Sequence, residues 1–300
     1  MKKTKSILIV GGSGFVGVHL AKELRKNYKV FATYNNRQIT MPEVSYLPMS
    51  ISDRELLKRV LCAAQPEAVI YLIGNNDVDW CEKNPRDAET LHGTGSTLVA
   101  SLAELIKPRF IYVSFCHVFD GRKGNYNETD IAFPHSMIGR TKLAGENFLK
   151  GKSMNYVVVR SSPVFGLSIP KNPSFIDKLR IKLEHGERVD LPTNELHSFA
   201  PVQGLVDIIC RLVESGIKNT VFHYGGLTKI NYYDFGVEFS KRFGYNSSLL
   251  SPIEPPNLEK LKEQAIGDYS LNCSKAVKLL KIKPLLLKDG LDLIQEGLVI

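Results

Sequence analysis

The amino-acid sequence predicts an α/β fold, a doubly wound parallel sheet followed by a smaller C-terminal lobe. Three observations carry this. Short β-branched and aliphatic runs alternate with stretches of helical period. The strand candidates, Ala68 to Ile73 above all, are nearly continuous apolar runs, as in a strand covered on both faces. A glycine-rich turn, Gly11-Gly12-Ser13-Gly14-Phe15-Val16-Gly17, joins the first strand to the first helix. Right-handed crossovers bury such strands in one sheet at little cost.

Ser6 to Val10 is the first strand, and Phe15, Val16, Leu20 and Leu24 then recur on a helical period up to Asn27. Lys29 to Thr33 is the second strand. Ser52 reads as an N-cap before Asp53-Arg54-Glu55 and the apolar positions Leu56, Leu57, Val60 and Leu61. After the strand Ala68 to Ile73, a helix of about Thr94 to Ile106 is stopped by Pro108, and Phe110 to Val113 is the next strand. A helix from near Ser136 to Leu149 leads into the strand Tyr156 to Arg160. Beyond Pro163 the rhythm degrades: Ile169 to Pro173 and Leu191 to Asn194 read as loops, and Ile176 to Leu183 as a short amphipathic helix. Val202 to Glu214 is helix, Thr220 to Tyr224 strand and Tyr232 to Phe243 helix. The proline-rich stretch Ser251 to Ala265 is expected to wrap over a surface before terminal helices around Lys275 to Leu280 and Leu286 to Gln295.

With 300 residues, 43% hydrophobic and 23% charged, the chain has enough apolar material for a core and a second lobe, which excludes collagen-like and low-complexity classes. The 39 Lys and Arg against 31 Asp and Glu leave a net charge of +8, which suits a phosphorylated small molecule as well as a polynucleotide. Basic residues alternate with acids and no aromatic-basic array accompanies them, so no nucleic-acid partner is expected. Cys62, Cys81, Cys116, Cys210 and Cys273 are odd in number, scattered and without Cys-x-x-Cys spacing. That argues against a disulfide framework and a metal site, and for a reducing cytoplasm. The basic start Met1-Lys2-Lys3-Thr4-Lys5 precedes an apolar run too short for a signal segment. No run approaches the roughly 20 residues that cross a bilayer. The expectation is a cytoplasmic protein with no membrane partner.

The glycine turn carries the first chemical signal. Gly11 permits the tight turn, Gly14 removes a side chain from the path of a pyrophosphate, and Gly17 lets the helix pack closely on the sheet. Phosphate at this helix N-terminus, beside Phe15 and Val16, meets backbone N–H groups and the positive end of the dipole. After the second strand, where an acidic residue would bind the NAD ribose, the chain has Tyr34-Asn35-Asn36-Arg37. Arg37 tilts the expectation towards NADP(H) over NAD(H), with Asn36 beside it; a solvated surface arginine is the competing reading. Asp53 is placed beside the adenine edge, or serves only to start a helix. Gly74, after the third strand, lets the chain pass close to the dinucleotide. Residues 1–162 are thus predominantly a dinucleotide-binding domain. Residues 163–300 are predominantly a substrate-side lobe, with some segments returning to the sheet.

Further motifs are Val78-Asp79-Trp80-Cys81-Glu82, Val118-Phe119-Asp120-Gly121, Gly139-Arg140-Thr141-Lys142-Leu143-Ala144-Gly145-Glu146, Arg160 followed by Val164-Phe165-Gly166, and Leu191-Pro192-Thr193. With the glycine turn they make the chain resemble the extended short-chain dehydrogenase/reductase superfamily and, within it, the dTDP-4-dehydrorhamnose reductase family. The resemblance implies a Rossmann-like fold and NADP-dependent oxidoreduction of a nucleotide-linked deoxysugar. It also implies a site in which a Tyr four residues before a Lys moves the proton, the Lys lowers that pKa and holds the nicotinamide ribose, and Ser or Thr hydroxyls orient the carbonyl. By the same resemblance Lys142 is the lysine, Ser114 the surviving hydroxyl, and Asn75, Asp79, Cys116, Phe165, Pro192 and Thr193 stand on the substrate side.

Three polar positions depart from the pattern. Ile138 occupies the tyrosine place, Phe115 that of the substrate-orienting Thr, and His92 that of a usual Asn. His117 is the third catalytic candidate, because an imidazole can act as a general acid near neutrality; a packed histidine explains it equally. Two readings stay open. One is a reductase-like NADP-dependent oxidoreductase. The other is a dinucleotide-binding, noncatalytic homologue that regulates or scaffolds a protein partner. A homodimer is a further expectation of the resemblance.

Overall fold

Seven strands form one sheet: β1 (Ser6–Val10), β2 (Lys29–Tyr34), β3 (Val44–Pro48), β4 (Ala68–Tyr71), β5 (Arg109–Phe115), β6 (Tyr156–Ser161) and the strand Thr220–Tyr224. From one edge the order is Thr220–Tyr224, β6, β5, β4, β1, β2, β3. Adjacent pairs from β5 through β4, β1 and β2 to β3 are parallel, with Ile7 opposite both Val30 and Ala68. The chain therefore builds outward from β1 in one direction and from β4 in the other. This reversal leaves a crevice beyond the C-terminal ends of β1 and β4, where open α/β sheets bind ligands.

The structure is a computed structural model that describes residues 5–152, 155–168, 173–253 and 267–298. Two units with interleaved segments make it up. The first comprises Met1–Val118, Ala132–Arg160 and Val206–Phe222, and the second Phe119–Ile131, Ser161–Leu205 and His223–Ile300.

In the first unit every residue of β4 and the last four of β1 are buried, as expected of parallel strands covered on both faces. Leu8, Val10, Val69, Tyr71, Phe110 and Tyr112 share one core with Leu57, Val60 and Leu61 of α2 (Arg54–Ala64) and Val99, Ala100 and Ala103 of α5 (Gly95–Ala103). The cap of α2 is Asp53, whose carboxylate accepts the Leu56 N–H at 2.9 Å, and not Ser52. The helix expected from Thr94 begins earlier: α4 (Pro85–Ala88) runs through a π-helical stretch, Glu89–Thr94, into α5. Gly93, Gly95, Thr90 and Thr94 blur the helical period there. β3 escaped the sequence reading because it is a partly exposed edge strand without an apolar run.

In the second unit Leu191 and Pro192 belong to the strand Val189–Pro192, parallel to Leu250–Ile253, and not to a loop. Val189 and Leu191 are buried and Asp190 between them is exposed, a strand alternation that Pro192-Thr193-Asn194 masked. They pack in a core with Phe165, Phe199, Phe235 and Phe239. The helix Phe175–Glu184 starts in a capping box between Ser174 and Asp177. The loop reading of residues 169–172 and the wrap of residues 254–265 lie outside the described residues. Among the described residues no helix is long and apolar enough to cross a membrane.

One polar contact fixes α6 (Met137–Lys150) to the sheet. Glu146, wholly buried, accepts from Arg160 Nε at 3.0 Å and from Arg160 Nη2 at 2.7 Å. Removing one partner of such a pair leaves a buried charge uncompensated and typically costs about 3–5 kcal/mol. Glu146→Ala should therefore lower the unfolding free energy by about that amount, read from the urea midpoint.

Candidate dinucleotide site

The crevice beyond β1 and β4 holds a cavity of about 220 Å³, lined by Gly11, Ser13, Gly14, Thr33, Tyr34, Asn35, Met49, Ile51, Leu72, Ile73, Gly74 and Leu91. Its floor is the turn into α1 (Phe15–Leu24), where Gly11 N–H donates to Thr33 Oγ1 at 2.9 Å and Ser13 N–H to the Thr33 carbonyl at 3.1 Å. The glycines here divide by cause. Gly11 adopts φ +90, which side chains rarely tolerate, and a Cβ on Gly17 would collide with Gly12 Cα at 2.7 Å. Gly14 has ordinary extended backbone, and a Cβ there would meet only the Gly11 carbonyl oxygen, at 3.2 Å. Packing inside the protein demands glycine at 11 and 17; at 14 the demand fits a ligand approaching the open side. Gly14 also caps α1 without a side-chain bond, which leaves the helix N-terminus to an anion.

Phe15 and Val16 open α1 and are half-buried. Asn36 and Arg37 are exposed beyond β2 and stand outside the lining of this cavity, as does Asp53, whose carboxylate is spent on the α2 cap. The sequence reading missed Thr33, Met49 and Ile51, which line the cavity; their only signal was position at the ends of β2 and β3.

A second group of residues gathers beside Gly74. Lys142 on α6 is 3% exposed and donates to the Val113 carbonyl at 3.1 Å, with its ammonium 5.5 Å from the Tyr112 ring centroid. A Cβ on Gly74 would lie 3.0 Å from Lys142 Nζ and 2.9 Å from His92 Nε2, so a side chain here would press on both groups. His92, from the π-helical stretch, is wholly buried and bridges two segments. Its Nδ1 is 3.0 Å from Thr141 Oγ1, and its Nε2 is 3.1 Å from the Asn75 nitrogen. Thr141 has one hydroxyl hydrogen and directs it to the Met137 and Ile138 carbonyls at 3.0 and 3.1 Å. Thr141 therefore accepts from His92 Nδ1–H, and bare Nε2 accepts from the Asn75 N–H.

Burial, aided by the charge of Lys142, pushes His92 down to about 2 and keeps it neutral. Burial likewise lowers Lys142 from 10.5 to about 8, against the raising influence of Cys81 and Glu146. Cys81, on α3 (Val78–Lys83), donates from Sγ to the Asn75 carbonyl at 3.3 Å, and burial pushes its thiol up to about 11.

Along β5, Ser114 Oγ is buried without a hydrogen-bond partner among the described residues. Phe115 is 2% exposed and stacks on His117 at 5.0 Å, and His117 Nδ1 is 3.6 Å from the sulfur of buried Cys116. Ile138 is wholly buried on α6, one turn before Lys142. Asp79 is exposed in the first turn of α3, while Glu82 at its other end accepts the Met137 N–H at 2.5 Å and steadies the start of α6. In the second unit Phe165 is buried against Phe235, 5.3 Å between centroids, and Thr193 lies beside the Ile253 carbonyl.

A parallel sheet that reverses at β1 and β4, a glycine turn and a lysine on α6 define an extended short-chain dehydrogenase/reductase fold with a Rossmann-like nucleotide-binding unit. The chain belongs to the family described as RmlD substrate binding domain, the dTDP-4-dehydrorhamnose reductase family, which matches residues 5–293. It is 25% identical over 256 residues to the probable low-salt glycan biosynthesis reductase Agl14 of Haloferax volcanii, covering 84% of this chain and 85% of that one. It is 24% identical over 280 residues to methionine adenosyltransferase 2 subunit beta of Rattus norvegicus, covering 91% of this chain and 81% of that one. The dTDP-4-dehydrorhamnose reductase of Bacillus anthracis in complex with NADP superposes with a TM-score of 0.81 at 19% identity, covering 98% of this chain and all of that one.

The preference for NADP is corrected by similar solved structures: of four that hold a dinucleotide, the Bacillus anthracis reductase carries NADP and the other three NAD. DesIV of Streptomyces venezuelae (17% identity, TM-score 0.82, 96% of this chain and 95% of that one) carries NAD. So do WbmH (20%, 0.79, 96% and 96%) and WbmG (17%, 0.80, 97% and 94%) of Bordetella bronchiseptica. Arg37, the ground for that preference, is exposed beyond β2, and a surface cation by itself demands no 2′-phosphate.

Gly14→Ala should leave the urea midpoint nearly unchanged and weaken dinucleotide binding about tenfold or more by calorimetry, a loss of about 1.4 kcal/mol. Gly17→Ala should instead destabilise the fold. Lys142 makes a separate pH signature. Its folded pKa lies below its unfolded one, so between about 8 and 10.5 the unfolded chain binds more protons and stability rises with pH. Lys142→Met should flatten that rise in denaturation curves taken across the window.

Proposed function

We propose that the chain is a nicotinamide-dinucleotide-dependent oxidoreductase of a nucleotide-linked sugar, working without the tyrosine of its family. Gly11, Ser13 and Gly14 would hold the pyrophosphate, Thr33 to Asn35 the adenosine side, and Gly74 with Lys142 the nicotinamide ribose. The bound dinucleotide would supply or take a hydride. The observation that carries the reading is two buried and under-satisfied polar groups: Lys142 beside Gly74, with a single protein acceptor among the described residues, and Ser114 Oγ on β5, without a partner among them. Burying unsatisfied polar groups costs stability, and a protein that only packed there would have no use for them.

A second reading has its own support. Ile138 and Phe115 put wholly apolar, buried side chains where hydroxyls serve catalysis in the resemblance, and methionine adenosyltransferase 2 subunit beta stands among the relatives. In that reading the chain binds dinucleotide and serves a protein partner without turnover.

The two separate in one experiment, single-turnover reduction of dTDP-4-dehydro-L-rhamnose at saturating NADH with substrate binding measured in parallel. The reductase reading expects slow but definite turnover. It also expects Ile138→Tyr combined with Phe115→Thr to raise the rate towards the 100- to 10,000-fold of roughly one positioned general acid. Binding of both ligands without turnover would establish the partner-serving reading. NADH should bind at least as tightly as NADPH in the calorimeter, and a clear preference for NADPH would reinstate a 2′-phosphate site.

A further inference from the structure

A carbonyl reduced by hydride must also gain a proton, and Ile138 has none to give. The neighbouring groups are spent. Thr141 directs its hydroxyl hydrogen to backbone carbonyls of its own helix, and both nitrogens of His92 are committed. Tyr112 gives its hydroxyl to the His92 carbonyl, and burial holds its pKa well above the usual phenol value. The Cys81 thiol is given to the Asn75 carbonyl.

Lys142 is different. It carries three ammonium hydrogens, one of which goes to Val113, and among the described residues the other two meet no protein acceptor. The acceptor, Val113, directly precedes Ser114 on β5, and the buried Ser114 hydroxyl has no hydrogen-bond partner among the described residues. Gly74 keeps the space beside Nζ free of a side chain.

We propose that Lys142 is itself the acid of the reduction, giving a proton to the substrate carbonyl oxygen while Ser114 holds that oxygen. The inference rests on the reductase reading above. A bound reduced nicotinamide would supply the hydride, one of its C–H bonds breaking as a C–H bond forms at the carbonyl carbon and the C=O π pair moves to oxygen. That oxygen takes the proton as an Nζ–H bond breaks, leaving a neutral amine that solvent reprotonates. The groups facing Nζ make this feasible near neutrality. Cys81 on α3 and Tyr112 on β5 are held protonated by burial, and His92 on the π-helical stretch is held neutral. Glu146, one turn along α6, is neutralised by Arg160. With little opposing charge, burial prevails and brings the ammonium to about 8, within the range of a working general acid.

Lys142→Arg tests the assignment, because arginine keeps the cation and its hydrogen bonds but does not release a proton in this range. Cofactor-free protein with isotopically labelled lysine should show Lys142 titrating near 8 by NMR, a readout independent of turnover. With NADH and dTDP-4-dehydro-L-rhamnose, the wild-type rate should fall above that midpoint. The Arg variant should bind NADH within a few-fold of wild type and lose about 100-fold or more in rate. Should that variant fold poorly, Lys142→Ala with added methylamine should recover part of the rate. A wild-type rate flat from pH 7 to about 9.5, or an Arg variant as fast as wild type, overturns this inference and leaves the reductase reading standing. So does loss of the high-pH limb in His117→Gln, which would make His117 the acid. Absence of turnover in the wild type overturns both.

Discussion

The buried pair between Glu146 and Arg160 decides where α6 lies, and the candidate site depends on that helix. The carboxylate fixes one end of α6 to β6 through charge-assisted hydrogen bonds. Two close approaches fix the rest. A Cβ on Gly145 would stand 2.8 Å from both Ser96 Oγ and Tyr112 Oη, and a Cβ on Gly139 would collide with the His117 carbonyl. The backbone of α6 therefore runs close against the His92 and His117 carbonyls and the Tyr112 hydroxyl, and Lys142 leaves the helix with little freedom to choose its position. Glu82 at the first turn completes the anchoring. A site made this way is rigid because its supports are backbone and buried charge.

The same geometry explains what could be read from the sequence. The turn at Gly11 to Gly17 was legible because its demands fall on backbone conformation and close packing, which only glycine meets. The apolar runs of β1, β4 and β5 were legible because a parallel sheet buries both faces. The π-helical stretch was not: one extra residue in the turn breaks the period that identifies a helix, and nothing local marks it. His92 became informative only with its tautomer fixed by Thr141 and Asn75, partners 49 and 17 residues away. Asp53 was legible only as a choice between two roles. Of the adenine edge and the helix start, its carboxylate is seen to serve the second, as the cap of α2.

Arg37 and Lys142 show why charge alone is a poor guide to a ligand. Both are single cations near a nucleotide-binding turn. Arg37 is exposed, and a cation in water demands no phosphate. Lys142 is 3% exposed and its charge has been taken out of water at a cost visible in its lowered pKa. A buried cation with one protein hydrogen bond is informative where a surface cation is not.

Loss of a proton donor and retention of a dinucleotide site follow from different kinds of constraint. The turn at β1 and the reversal at β4 are properties of the whole sheet, so they persist while any use for the fold persists. A tyrosine is one side chain, and isoleucine fills its place on α6 without disturbing the helix, as the complete burial of Ile138 attests. Lys142 belongs to neither class. Burying an ammonium there works against stability at neutral pH. Packing alone does not explain a charge held at such a cost, and it stands beside Gly74, which lines the cavity.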